Sequence, residues 1–143
     1  MPDCENCDYA YRSSFVNIVR GVRPGSASLY DLDLVLEVDG EIKAIFEYKR
    51  FQSRYTAYHI PAFEYIALKK FGKLLKVTPY VIIETLQGGQ CFHIFKLDRF
   101  EFNRSFATAK TGRKMAVFDS SEGVELYEEG LKDFITKLAQ GGL

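Results

Sequence analysis

Two stretches, 31–38 (DLDLVLEV) and 42–49 (IKAIFEYK), alternate polar and apolar residues over a full strand length, with Asp39-Gly40 between them. A period of two predicts strands, and Asp-Gly predicts a tight hairpin turn. A second pair, 79–86 (PYVIIETL) and 90–97 (QCFHIFKL), flanks Gly88-Gly89 and predicts another hairpin. Three-to-four spacing of Phe15, Ile18 and Val19 predicts a helix over 9–20, ended by Gly21 and Pro24. Ala62, Tyr65, Ile66 and Leu68 predict a second helix over 57–71, before Gly72, with Pro61 near its first turn. Residues 114–118 (KMAVF) read as a short strand, and Asp119 with Glu122 offers a capping box for a last amphipathic helix to residue 139. Together these elements predict an α/β protein.

Side chains on a strand alternate between faces. Asp31, Asp33, Val35 and Glu37 therefore share one face of the first strand, and Glu41, Lys43, Ile45, Glu47 and Lys49 share one face of the second. Leu32, Leu34, Leu36 and Val38, with Ile42, Ala44, Phe46 and Tyr48, make the opposite, apolar faces. Whether the polar faces coincide depends on the loop, because opposed residues on paired strands project to the same side. A two-residue Asp39-Gly40 loop sets the Asp residues and Glu47 on opposite faces. A three-residue loop, 38–40, makes Asp31 face Glu47 with Asp33 on the diagonal, and a five-residue loop makes Asp33 face Glu47 directly. Only the even length separates the carboxylates.

Two carboxylates on neighbouring strands repel one another unless a cation lies between them. Oxygen donors completed by water suit Mg²⁺, with Mn²⁺ as a substitute, rather than zinc. Lys49, two residues past Glu47 on the same face, reaches the same place. Carboxylates, a divalent cation and a lysine together suit phosphodiester hydrolysis: the metal lowers the pKa of the attacking water, and the lysine positions it or steadies developing charge.

Asp33 in the hydrophobic run Leu32-Asp33-Leu34-Val35, then thirteen residues, then Glu47-Tyr48-Lys49 closing another hydrophobic strand, resembles the PD-(D/E)XK nuclease superfamily. The arrangement is similar to archaeal Holliday-junction resolvases and to small RecB-like or restriction-type nucleases. The resemblance spans roughly residues 9–97. It implies a restriction-endonuclease-like mixed central β-sheet flanked by helices, with Asp33 and Glu47 as metal ligands, the main-chain carbonyl of Tyr48 as a third, and Lys49 catalytic. The activity implied is a Mg²⁺-dependent DNA endonuclease, selective for junction or branched DNA, with a homodimer left open. The chain departs from the pattern in having no Pro before the Asp. Asp31 competes with Asp33 as first ligand, and residues 9–20 lack the Glu that many relatives carry in the first helix.

Composition fits that reading without adding to it. At 143 residues, 47% hydrophobic and 27% charged, the chain is expected to form one globular domain over 1–143. Nineteen basic and nineteen acidic side chains cancel, but eight Lys or Arg against Glu47 and Glu64 fall between Lys43 and Lys76, and acids dominate from Asp119 onward. Such polarisation can present a basic face to DNA. Arg50 and Arg54, interleaved with Gln52, Tyr55 and Tyr58, and Arg20 and Arg23 ahead of the first strand, are the nucleic-acid-binding candidates.

No apolar run approaches the roughly 18 residues of a membrane span, and no leader pattern opens the chain, so an intracellular, cytoplasmic protein is expected. Cys4, Cys7 and Cys91 are too few for a closed zinc or iron–sulfur site, which disfavours a RecB-type exonuclease subunit with a cluster. His59 and His93 sit among aromatic and apolar residues and are assigned no role. No serine triad, P-loop or dinucleotide loop is present. The rival class is a non-catalytic nucleic-acid- or protein-binding module on the same fold.

Overall fold

The computed structural model describes Ile18, residues 32–97, the backbone of 106–108, and residues 112–141. Apart from Ile18, which is helical, the expected first helix, together with Arg20, Arg23, Asp31, Cys4 and Cys7, lies outside the described residues. The chain divides into two units, Met1–Asp31 and Leu32–Leu143, and every element below belongs to the second.

Strands β1 (Leu34–Val38) and β2 (Glu41–Phe51) form the first hairpin. A short strand β3 (Ala57–Pro61) leads directly into helix α1 (Ala62–Leu75), and β4 (Thr78–Thr85) with β5 (Cys91–Lys96) forms the second hairpin. Then come β6 (Phe106–Thr108), β7 (Lys114–Asp119), a 3-10 turn at Ser120–Glu122, β8 (Val124–Leu126) and helix α2 (Glu128–Ala139). The main sheet runs β1-β2-β4-β5-β8, parallel between β2 and β4 and antiparallel elsewhere. A second, antiparallel sheet runs β3-β7-β6. The protein is thus mixed α/β, with a five-stranded mixed sheet flanked by two helices. Among the described residues no helix is long and apolar enough to cross a membrane.

A parallel pair needs a long crossover, and β3 with α1 supplies it between β2 and β4. Their side chains fill one face of the main sheet: Tyr58, Ile60, Tyr65 and Leu68 pack on Ile45, Val81, Ile83 and Phe95, joined by Ala116 and Phe118 of β7. On the other face Leu131, Phe134, Ile135 and Leu138 of α2 pack on Ala44, Phe46, Tyr80, Ile82 and Ile94. Being covered on both sides explains why β4 is apolar almost throughout, with buried residues from Pro79 to Thr85. It also corrects the expectation of one apolar and one polar face for β2, because Ile45 and Glu47 are as buried as Ala44 and Phe46.

Two helix starts differ from the sequence reading. Residues 57–61 are a strand, not a first helical turn, since a proline disfavours helical backbone at the residue before it and Pro61 stands at the helix N-cap. The Asp119–Glu122 capping box forms, with Asp119 Oδ1 accepting from the Ser121 N–H at 2.9 Å, but it caps only the 3-10 turn. The chain then adds β8 to the sheet edge before α2 begins at Glu128.

Gly72 does not stop α1, which runs on to Leu75 and ends on Lys76 in the left-handed conformation (φ 58°). It is instead the place where the helix meets β4: a Cβ here would lie 2.8 Å from Pro79 Cγ and Cδ. Alanine would gain about 1 kcal/mol of helix propensity, but overpacking against a rigid ring typically costs about 1–3 kcal/mol. Gly72→Ala is therefore expected to lower the stability read by urea or thermal unfolding, by about 1 kcal/mol net. A more stable variant would show that the helix is free to move off Pro79.

Candidate metal and catalytic site

The hairpin closes with Asp39 and Gly40 both at positive φ, 52° and 81°, the geometry of a two-residue type I′ turn. That is the even loop expected to separate the carboxylates. The register near the turn, Val38 opposite Glu41 and Glu37 opposite Ile42, has that phase. One residue further it changes: Leu36 pairs with Ala44, Val35 with Ile45 and Leu34 with Phe46, so Lys43 is an extra, unpaired residue in β2. This bulge moves every later residue of β2 to the opposite side relative to β1. Continued by one step, the shifted register puts Asp33 opposite Glu47. The expectation that a two-residue loop abolishes the site is thereby corrected.

Asp33 stands just before β1, and its Oδ2 accepts the Tyr48 N–H at 3.0 Å. Glu47 is 6% exposed, between the sheet and α1. Lys49 places Nζ 3.5 Å from Glu47 Oε1 and 2.9 Å from Glu64 Oε2. Glu64 comes from the first turn of α1 and is a site residue the sequence reading missed. In the sequence it stands out only as an acid within a basic stretch, because nothing there says which face of the sheet α1 covers. Its Oε2 is buried and lies against the Lys49 ammonium as an ion pair.

Burial, then a hydrogen bond and charge repulsion from Asp33, then the charge of Glu64, push the Glu47 carboxyl up from about 4.5 to about 8, against the pull of Lys49. Burial draws the Lys49 ammonium down, but Glu64 and then Glu47 outweigh it and hold it above the ordinary lysine value. The metal-free site is one cation among acids, with the charged form of the most buried acid disfavoured.

The other side of β2 fixes Tyr48. Glu84 on β4 is 3% exposed and accepts hydrogen bonds from the Tyr48 hydroxyl, from Arg50 at 3.3 Å and from Gln90 at 2.8 Å. Burial alone would raise the Glu84 carboxyl, yet the bonds from Gln90, Tyr48 and Arg50 together hold it below the usual glutamate value. An ionised, fully engaged carboxylate thus pins Tyr48, whose N–H holds Asp33 on the strand's edge.

Arg50 pairs with Glu84, and Arg54 with Glu125 at 3.2 Å; both guanidiniums keep substantial exposure. Cys91 is buried and its thiol donates to Glu125 at 3.3 Å, and burial followed by that bond pushes it up to about 11. His93 is packed against Tyr58 and within 3.4 Å of Thr85 Oγ1, with burial lowering its pKa. His59 is exposed on β3. Among the described residues no three His, Cys, Asp or Glu side chains converge as a ready metal cage. The structure therefore brings together Asp33, Glu47, Lys49 and Glu64, and sets Arg50 and Arg54 further along the same strand and loop. Compared with known proteins, the chain matches no family model and no curated protein.

A carboxyl raised on folding binds a proton that the unfolded chain would release, so the folded state is favoured below about pH 4.5 and loses that advantage as pH rises towards 8. Metal-free protein is expected to melt at progressively lower temperature from pH 5 to 8, and Glu47→Gln, neutral throughout, should lack this decline. Parallel curves for the two proteins in EDTA would mean that Glu47 titrates normally.

Proposed function

We propose that the protein is a metal-dependent DNA endonuclease of the PD-(D/E)XK type, hydrolysing phosphodiester bonds on a restriction-endonuclease-like fold and acting on junction or branched DNA. The observation that carries this reading is the bulge at Lys43, which aligns Asp33 with Glu47 and Lys49 at one point of the β1–β2 pair. Without it the motif would be split across the sheet.

The residues present suit a divalent cation such as Mg²⁺ in charge and donor type. Asp33 and Glu47 are oxygen donors, with Glu47 raised first by burial and then by its hydrogen bond with Asp33 and the repulsion between them, and the main-chain carbonyl of Tyr48 is the third donor the resemblance implies. When bound, the cation supplies a water of lowered pKa and withdraws charge from the phosphoryl group. Lys49, kept charged by Glu64, orients that water or steadies the developing negative charge. Glu64 acts through Lys49 and is a positioning residue. Arg54, in the loop beyond Lys49, and Arg50, at the end of the same strand on its other face, are the candidate contacts to the DNA backbone.

Nicking of supercoiled plasmid and cleavage of a four-way junction are expected with Mg²⁺ or Mn²⁺ and absent with EDTA. Asp33→Asn, Glu47→Gln and Lys49→Ala should each lower the rate on the order of 10²–10³-fold. Glu64→Gln should lower it about 10–100-fold, as for a residue that orients another. Cleavage by the Asp33 and Glu47 variants at the normal rate would end the proposal, and DNA binding without cleavage across metals and substrates would replace it with the non-catalytic module.

Calorimetry provides a readout that needs no substrate. Binding of Mg²⁺ at pH 7 should release a proton, since the cation displaces the one on Glu47, and Glu47→Gln should abolish the proton release. Metal binding with no buffer-dependent enthalpy would place the cation away from Glu47.

A further inference from the structure

One exposed aromatic near this site is braced in a way that solvent-facing side chains seldom are. Tyr55, in the loop after β2, is 54% exposed, yet its ring stands nearly perpendicular to two others: Phe51 at 6.1 Å and 80°, and Tyr58 at 6.0 Å and 82°. Phe51 and Tyr58 themselves touch at 5.4 Å, and Tyr58 is 1% exposed against His93. The Tyr58 hydroxyl accepts the Tyr55 N–H at 3.2 Å, so backbone as well as ring is tied to the core. A large aromatic surface is thus held still in water, with its conformational entropy already lost.

Its place relative to the catalytic candidates is set by the strand. Phe51 follows Lys49 by two residues on the same face, about 7 Å along β2 at 3.3 Å per residue, and the Tyr55 ring lies against Phe51. Residues 50–59 contain two arginines and no acid. Arg54, next to Tyr55 in sequence, is anchored by Glu125 and still partly in solvent, whereas Arg50 pairs with Glu84 on the opposite face of the sheet. Rigid aromatic surface next to the partly exposed Arg54 guanidinium complements the two parts of an unpaired nucleotide, the π-face of its base and its phosphate. A paired base, stacked inside a duplex, offers no free face.

We infer that Tyr55 is a stacking platform for an unpaired base close to the phosphate held at Lys49, so that the site takes single-stranded or locally unpaired DNA in preference to continuous duplex. This rests on the nuclease reading for the position of the phosphate, but the platform itself can be tested without cleavage. Anisotropy of a fluorescein-labelled oligothymidylate, and of a blunt duplex of the same length, is measured in EDTA with the full chain, Tyr55→Ala and Tyr55→Phe. Wild-type protein should prefer the single strand. Tyr55→Ala should weaken it about 10-fold or more, with a clearly smaller effect on the duplex, and Tyr55→Phe should retain the wild-type affinity because stacking needs the ring and not the hydroxyl.

Equal affinity of wild type and Tyr55→Ala for the single strand, including no binding by either, overturns the inference. So does an equal loss on both probes, or a loss that phenylalanine fails to rescue. If Tyr55-dependent binding is found but Mg²⁺ supports no cleavage, the platform stands and the nuclease reading fails. If duplex is cut at the same rate with and without the Tyr55 ring and the single strand binds no better, the nuclease reading stands and the platform fails.

Discussion

The pairing of β1 with β2 determines whether this chain has a site at all, because a strand has only two sides and one residue of register decides between them. The Asp39-Gly40 turn, with both residues left-handed, is the favoured closure for a hairpin of this twist, but by itself it sets the wrong phase for Asp33. Lys43, the extra residue of β2, restores the phase a few positions later. A bulge also bends the strand and increases its twist. A favourable turn and a productive register are thus obtained together, at the expense of one break in the ladder.

Downstream of that alignment, the electrostatics follow from burial. Glu47 is enclosed by the sheet and α1 and faces a second carboxylate, so its charged form is disfavoured. Glu84, on the other side of the same strand pair, is equally enclosed but ionised, because Gln90, Tyr48 and Arg50 all donate to it. The difference between the two glutamates is a difference of partners. One arrangement is satisfied within the fold and steadies Tyr48, while the other gathers three carboxyl groups around the single Lys49 ammonium.

The sequence made the hairpins legible because alternation and glycine turns are local signals, and 34–38, 41–51, 78–85 and 91–96 fall close to the stretches that carried them. It misread faces where parity was assumed to persist. Ile42 packs with the cluster that contains Ile45, which simple alternation would forbid, because the bulge lies between them. The strands β3, β6 and β8 are three to five residues long, too short for a period to show, and 57–61 merged with the helical spacing of α1. Asp33, Glu47 and Lys49 were readable from their motif. Glu64 was not, since its approach to Lys49 exists only once the crossover has laid α1 over that face of β2.

Asp33 and Glu47 sharing one cation is the point on which the enzymatic account turns, and it can be observed without any substrate. Anomalous diffraction from a crystal soaked in Mn²⁺ locates the ion directly. The expected map has a peak at coordination distance, about 2.0–2.2 Å, from oxygens of both carboxylates and from the Tyr48 carbonyl. A peak elsewhere, or none between these side chains with both aimed apart, would contradict it.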